Sequence, residues 1–186
     1  MNTHRRTFLF LAALAVAAMS TGPLWAQGSP KTRGGRGYGS GFWNNRAAQQ
    51  STRHARSVTG NVYRYSAQAP RMAPQYLRMQ SEEVGRSLES AHRHLQMTRE
   101  EAHGNQPVLK ILDRAEGHLK KATEHHQTMH KTCCQKDPHG NAVMACCENV
   151  LGELEQCLIE QQKAERLFLK DSPSHEHTDS IPEGQK

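Results

Sequence analysis

Apolar residues recur in steps of three and four along the second half of the chain. Val84, Leu88, Ala91, Leu95, Thr98 and Ala102 form the first series. That period predicts an amphipathic helix over about residues 81–104, with Ser81 as its N-cap and the His-Gly-Asn run at 103–105 as its stop. Pro107 suits the first turn of a second helix, where its missing N–H is not needed. The stripe Val108, Ile111, Leu112, Ala115, Leu119, Ala122, His126 and Met129 carries this helix to about 134. The segment KDPHGN turns the chain, and Val143, Cys147, Val150, Leu154, Cys157, Ala164 and Phe168 mark a third helix over 141–170.

Three such helices with short connections predict an all-α fold, either a three-helix bundle or a long helical hairpin with one more helix packed on it. The core is thin: Phe168 is the one aromatic residue between 81 and 170. Gly85, Gly117 and Gly152 interrupt the helices, each costing about 1 kcal/mol relative to Ala. A bundle of this kind gains from cross-links or a partner. Residues 27–80 show no sustained apolar period and contain Gly, Arg and Pro clusters, so they are expected to be a disordered basic arm. A local strand pair at SVTGNVYRYS is the exception considered. Residues 171–186 are polar and expected to be a loose tail.

The N-terminus changes the expected location. A short basic region precedes an apolar run from Phe8 to about Met19 and then a polar region, the plan of an export signal over 1–26 with cleavage after Ala26. Arg5, Arg6, Phe8 and Leu9 resemble the twin-arginine motif of bacterial proteins exported in the folded state. The protein is therefore expected in the periplasm or outside the cell, with no membrane span once the signal is removed. Thiols in those compartments tend to be oxidised.

Charge then divides the chain. Residues 27–80 hold nine basic side chains (Lys31, Arg33, Arg36, Arg46, Arg53, Arg56, Arg64, Arg71 and Arg78) and no acidic one, whereas 81–170 hold 12 basic and 14 acidic. An arm of one sign on a nearly neutral body is an electrostatic handle. Its expected partner is an anionic envelope polymer or an acidic protein. RGGRGYGSGFW also has the composition of a single-stranded nucleic-acid binder, a target scarce outside the cell.

Two cysteine pairs, Cys133-Cys134 and Cys146-Cys147, flank the turn. A hairpin bending at Gly140 sets Cys133 level with Cys147 and Cys134 level with Cys146, and the expected disulfides are Cys133–Cys147 and Cys134–Cys146, with the crossed pairing also open. The second reading is a metal site for Zn or Cu built from His126, His130, Cys133, Cys134, Cys146 and Cys147, with Met129 and Met144 able to add thioether to copper. Cys157 lies too far along the third helix to join either arrangement. It is read as a small buried residue or as a link between two copies in a homodimer, which the thin bundle would also favour. No Ser/His/Asp order, phosphate-cradling glycine loop or Cys-x-x-Cys motif is present, so the chain is read as non-enzymatic. The functional expectation is an exported helical protein of the bacterial envelope, structural or interaction-mediating, with a Cys-clamped hairpin; the alternative is a periplasmic metal-binding helical module.

Overall fold

A computed structural model describes residues 39–69 and 71–170. The segment expected to be an export signal, the first part of the expected arm and the expected tail lie outside the described residues. Those described form four helices and no strand: α1 (Ser40–Gln68), α2 (Pro74–Glu101), α3 (Gln106–Cys133) and α4 (Gly140–Lys170). The all-α expectation holds, with one more helix than the sequence suggested. Neighbours in the chain are neighbours in space and α4 closes back on α1, giving an up-down-up-down four-helix bundle.

One rule builds all four helices. The inward positions alternate by four and three over the whole length: 41, 45, 48, 52, 55, 59, 62 and 66 on α1, and 77, 81, 84, 88, 91, 95, 98 and 102 on α2 with its extension. On α3 they are 108, 112, 115, 119, 122, 126, 129 and 133, and on α4 143, 147, 150, 154, 157, 161, 164 and 168. A strict seven-residue repeat keeps each stripe facing the bundle axis and winds the helices into a left-handed supercoil.

The helix ends follow local chemistry. Pro74 opens α2 in the first turn, where the ring's fixed φ fits and no donor is lost. Asn105 caps α3 by accepting a hydrogen bond from the Val108 N–H at 3.2 Å. Gly104 between them takes φ 87°, a conformation that suits glycine where a helix must stop.

Two expectations are corrected. Ser81 is not an N-cap: it is a fully buried residue two turns inside α2. The stretch expected to be a disordered arm holds all of α1 and the first turns of α2, and the SVTGNVYRYS segment is helix, not strand. The physical reason lies in which residues face inward. Apart from Phe42, Val58 and Val62, α1 buries Gly41, Asn45, Ala48, Gln49, Thr52, Ala55, Thr59 and Ser66. Small side chains let its backbone approach its neighbours closely, and Asn45, Gln49 and Thr52 find partners across the seam. Asn45 Nδ2 donates to the Gln161 backbone carbonyl at 2.9 Å, and Gln161 Nε2 donates to Thr52 Oγ1 at 3.2 Å. Thr52 and Thr59 return their hydroxyl protons to carbonyls one turn back.

The close approach is tightest where α4 begins. A Cβ placed on Gly140 would stand 2.8 Å from the Ser66 carbonyl oxygen of α1. Backbone cannot swing aside as a side chain can, so Gly140→Ala is expected to cost about 1–3 kcal/mol, read as a lowered urea midpoint with an unchanged m-value.

Candidate functional site

Two regions carry chemistry: the end of the bundle where α3 meets α4, and the long seam between α1 and α4. At the first, the six residues of the sequence-derived metal site divide into separate environments. His126 occupies an inward heptad position of α3 and its Nε2–H donates to the Ser81 carbonyl of α2 at 2.8 Å. His130, one turn on, meets Ser81 Oγ through Nδ1 at 3.1 Å and the Cys134 sulfur through Nε2 at 3.6 Å. Cys146 is turned towards Thr132 Oγ1 at 3.7 Å. Cys133 and Cys147 are fully buried, and the Cys147 thiol points at the Met129 thioether at 3.6 Å. Among the described residues no group of three or more His, Cys, Asp or Glu side chains is arranged to hold a metal ion, so the six do not form one site.

All five cysteines are free thiols in this structure, and neither expected bridge is formed. The cause is register. The turn runs from Cys134 to His139 and is centred near Asp137, ahead of Gly140. This sets Cys147 level with Met129 and Cys146 level with Thr132. The Cys147 sulfur thus stands about one turn, about 6 Å, and the Cys146 sulfur about half a turn, about 3 Å, from the height at which it would meet its intended partner on α3. Burial pushes the Cys133 and Cys147 thiols up to about 12, with Cys134 and Cys146 adding to the rise at Cys133 and Cys133, Cys146 and Glu148 adding to it at Cys147. They are protonated, poorly nucleophilic sulfurs at neutral pH.

Cys157 is fully buried in the core, hydrogen-bonded to Thr52, with its thiol also pushed up to about 12 by burial. An intermolecular bridge through it would require the bundle to open. Its role is that of a small core residue.

His126 gives the bundle a pH dependence. Burial holds its imidazole below the ordinary value of 6.5, partly opposed by the Ser81 carbonyl and reinforced by His130. The unfolded chain therefore takes up this proton more readily than the folded one. Stability is whole above pH 6.5 and falls as the pH drops below it. The expected result is a decline in Tm between about pH 7 and pH 5 that is smaller in His126→Gln. The lowered carboxyls of Glu83 and Glu160 titrate below 4.5 and contribute in a lower, separate window.

The second region was not singled out residue by residue from the sequence. Gly60 of α1 and Gly152 of α4 have nothing within 4 Å of where a Cβ would sit, and the seam opens there into a groove of about 760 Å³. Arg53, Arg56, Tyr63 and Arg64 line one wall, and Leu151 and Glu155 the other. Arg56 pairs with Glu155 at 2.8 Å, both about half exposed; Arg53 and Arg64 donate to the neutral amide oxygens of Gln49 and Asn61. Tyr63 is hydrogen-bonded to Glu148, which raises its phenol. The groove therefore keeps two guanidinium groups with no carboxylate partner among the described bonds. A signal for it existed in the sequence, because α1 has four arginines and no acid. What was missing was the helix that sets Arg53, Arg56 and Arg64 on one side.

No described helix is long and apolar enough to cross a membrane. No protein-family model matches the chain, and no curated protein or solved structure is similar enough to match it.

Proposed function

We propose that this is an exported, non-enzymatic helical protein of the bacterial envelope that docks an anionic polymer in the groove between α1 and α4. The observation that carries the reading is the arrangement of Arg53, Arg56 and Arg64 along an open groove on a helix without acidic residues. Guanidinium groups present planar forks of donors that match carboxylate and phosphate oxygens. A row of them spaced by helical turns suits a repeating anion better than a single compact one. Tyr63 adds a flat face and a hydroxyl between them. The basic residues Lys31, Arg33 and Arg36 precede α1 in sequence and extend the same sign, so the polymer is met by a longer positive stretch than the groove alone.

The test is retention on an immobilised polyanion, with heparin and polyphosphate as probes. The wild-type protein is expected to elute with rising salt, since each neutralised anion releases a counterion. The triple variant Arg53→Glu, Arg56→Glu, Arg64→Glu is expected to pass through unretained, while reversal of Lys110 and Lys121, on α3, leaves retention close to wild type. Retention that survives the triple reversal contradicts the groove. Export predicts that the mature protein begins at Gln27 and is recovered from the periplasm or medium.

A further inference from the structure

The up-down-up-down order brings two links to one end of the bundle, that between α1 and α2 and that between α3 and α4. Between them lies a cavity of about 470 Å³, lined by Arg71 and Met72 from the first link and by Lys136, Asp137, His139 and Gly140 from the second. Arg71, Lys136 and His139 are nitrogen donors, and the described residues give none of their side chains a hydrogen bond or an ion pair. We infer that these three side chains form a binding site for a compact dianionic phosphoryl group, as carried by inorganic phosphate or by a phosphate monoester.

Both walls are fixed to the bundle. The Ala73 N–H donates to Tyr65 Oη at 2.8 Å and Met72 packs against the core, which holds the first link; Pro138 is buried in the second. Arg71 and Lys136 therefore leave anchored backbone, and binding orders two side chains rather than a loop. Helix α4 adds donors of its own. Val143 is the first of its residues whose N–H has a described backbone acceptor, the His139 carbonyl at 3.0 Å. The amides of Gly140, Asn141 and Ala142 have none, and no acidic side chain stands in this first turn. Such amides, with the positive end of the helix dipole, favour an anion. One more polar group lies directly behind Gly140: Ser66, whose carbonyl stands against it, keeps a buried hydroxyl with no partner among the described residues.

The donor set suits a phosphoryl dianion better than other anions. A guanidinium fork takes two oxygens, an ammonium takes a third as a point charge, and an imidazole N–H shares one of them. A carboxylate, with two oxygens and one charge, would leave donors over. Asp137 is the one carboxylate among the lining residues; it repels the ligand and limits the affinity. The volume lies in the range of about 300–1,000 Å³ typical of small-ligand pockets and leaves room beside a phosphoryl group for the rest of a small ester. Internal groups of a polyanion carry a single charge each, and the cavity shares no side chain with the basic groove, so this site stands or falls independently of polymer docking.

The experiment is isothermal titration calorimetry of the full-length protein in phosphate-free chloride buffer at physiological ionic strength, with inorganic phosphate and glycerol 3-phosphate as the two probes. One phosphoryl group per chain is expected, with half-saturation at or below about 1 mM. Arg71→Ala and Lys136→Ala are each expected to weaken binding roughly threefold to tenfold, and His139→Ala about threefold, as for charge-assisted hydrogen bonds at a partly open site. Asp137→Asn is expected to strengthen it roughly threefold, a gain that damage to the fold would not produce. The groove variant Arg53→Glu, Arg56→Glu, Arg64→Glu is expected to stay within about threefold of wild type, since salt screens its distant charges. Circular dichroism shows that each variant is folded before its affinity is read. Tighter binding of glycerol 3-phosphate names a phosphorylated small molecule as the ligand and tighter binding of inorganic phosphate names the free ion; both uphold the site. No saturable binding of either probe, wild-type affinity in the Arg71→Ala, Lys136→Ala double variant, weaker binding in Asp137→Asn, or loss of binding in the groove variant would each overturn it.

Discussion

Removal of residues 27–69 is expected to abolish cooperative unfolding of the rest of the chain. A dispensable basic arm would leave the transition intact; a helix that forms one wall of the bundle would not. The inward faces of α2 and α4 rest on α1, and without it Leu77, Val84, Leu88, Val150 and Leu154 lose cover. Each is fully or almost fully buried, and complete burial of such a side chain is worth roughly 1.5–3 kcal/mol. Losing even half of that at all five positions approaches the whole stability of a typical domain, about 5–15 kcal/mol. Gln161 would also lose Thr52 and Asn45, leaving its buried side-chain amide and its backbone carbonyl without their cross-seam bonds. Thermal denaturation followed by circular dichroism decides the matter. A broad, non-cooperative melt is expected; a sharp transition within a few degrees of the intact protein would mean that α1 is an accessory.

Leu119→Ala is expected to be among the most damaging single substitutions, at the upper part of the range of about 2–5 kcal/mol for such truncations. Leu119 is buried on α3, and the heptad register puts it in the layer of Thr52, Ala91 and Cys157. Those neighbours are small. None has a long side chain that could swing into the vacated space, so the cavity persists and its full penalty is felt. A fall in Tm of about 10 °C or more is expected. A fall of only a few degrees would show that the bundle repacks around the gap, and that its core is less tightly specified than the small residues of α1 imply.

The contrast between α1 and the other helices shows what the sequence could reveal. Helices α2, α3 and α4 place Leu or Val at every second or third inward position, and their stripes stand out by hydrophobicity alone. On α1 the same four-three spacing is filled by Gly41, Asn45, Ala48, Thr52, Ala55, Thr59, Val62 and Ser66. A search for apolar periodicity passes over such a series, although the spacing is as regular as in the rest. The nearby Gly and Arg run strengthened the mistaken impression of disorder. The thiol cluster was legible as a neighbourhood and misread as a register. The symmetry of the cysteine pairs puts the hairpin apex at Gly140, but Gly140 is the first residue of α4 and lies against Ser66. With the apex near Asp137, Met129 takes the place facing Cys147 that Cys133 was expected to hold. The basic groove needed α1 to be a helix before its arginines could be assigned a side.

Docking of an anionic polymer along the α1–α4 seam is most directly tested by a backbone-amide NMR titration of the folded, isotopically labelled protein with a short polyanion. The expected result is that salt-sensitive shift changes concentrate at residues 53–64 of α1 and 151–155 of α4, with α3 silent. Changes spread evenly over the surface, or confined to residues outside the groove, would contradict the docking site.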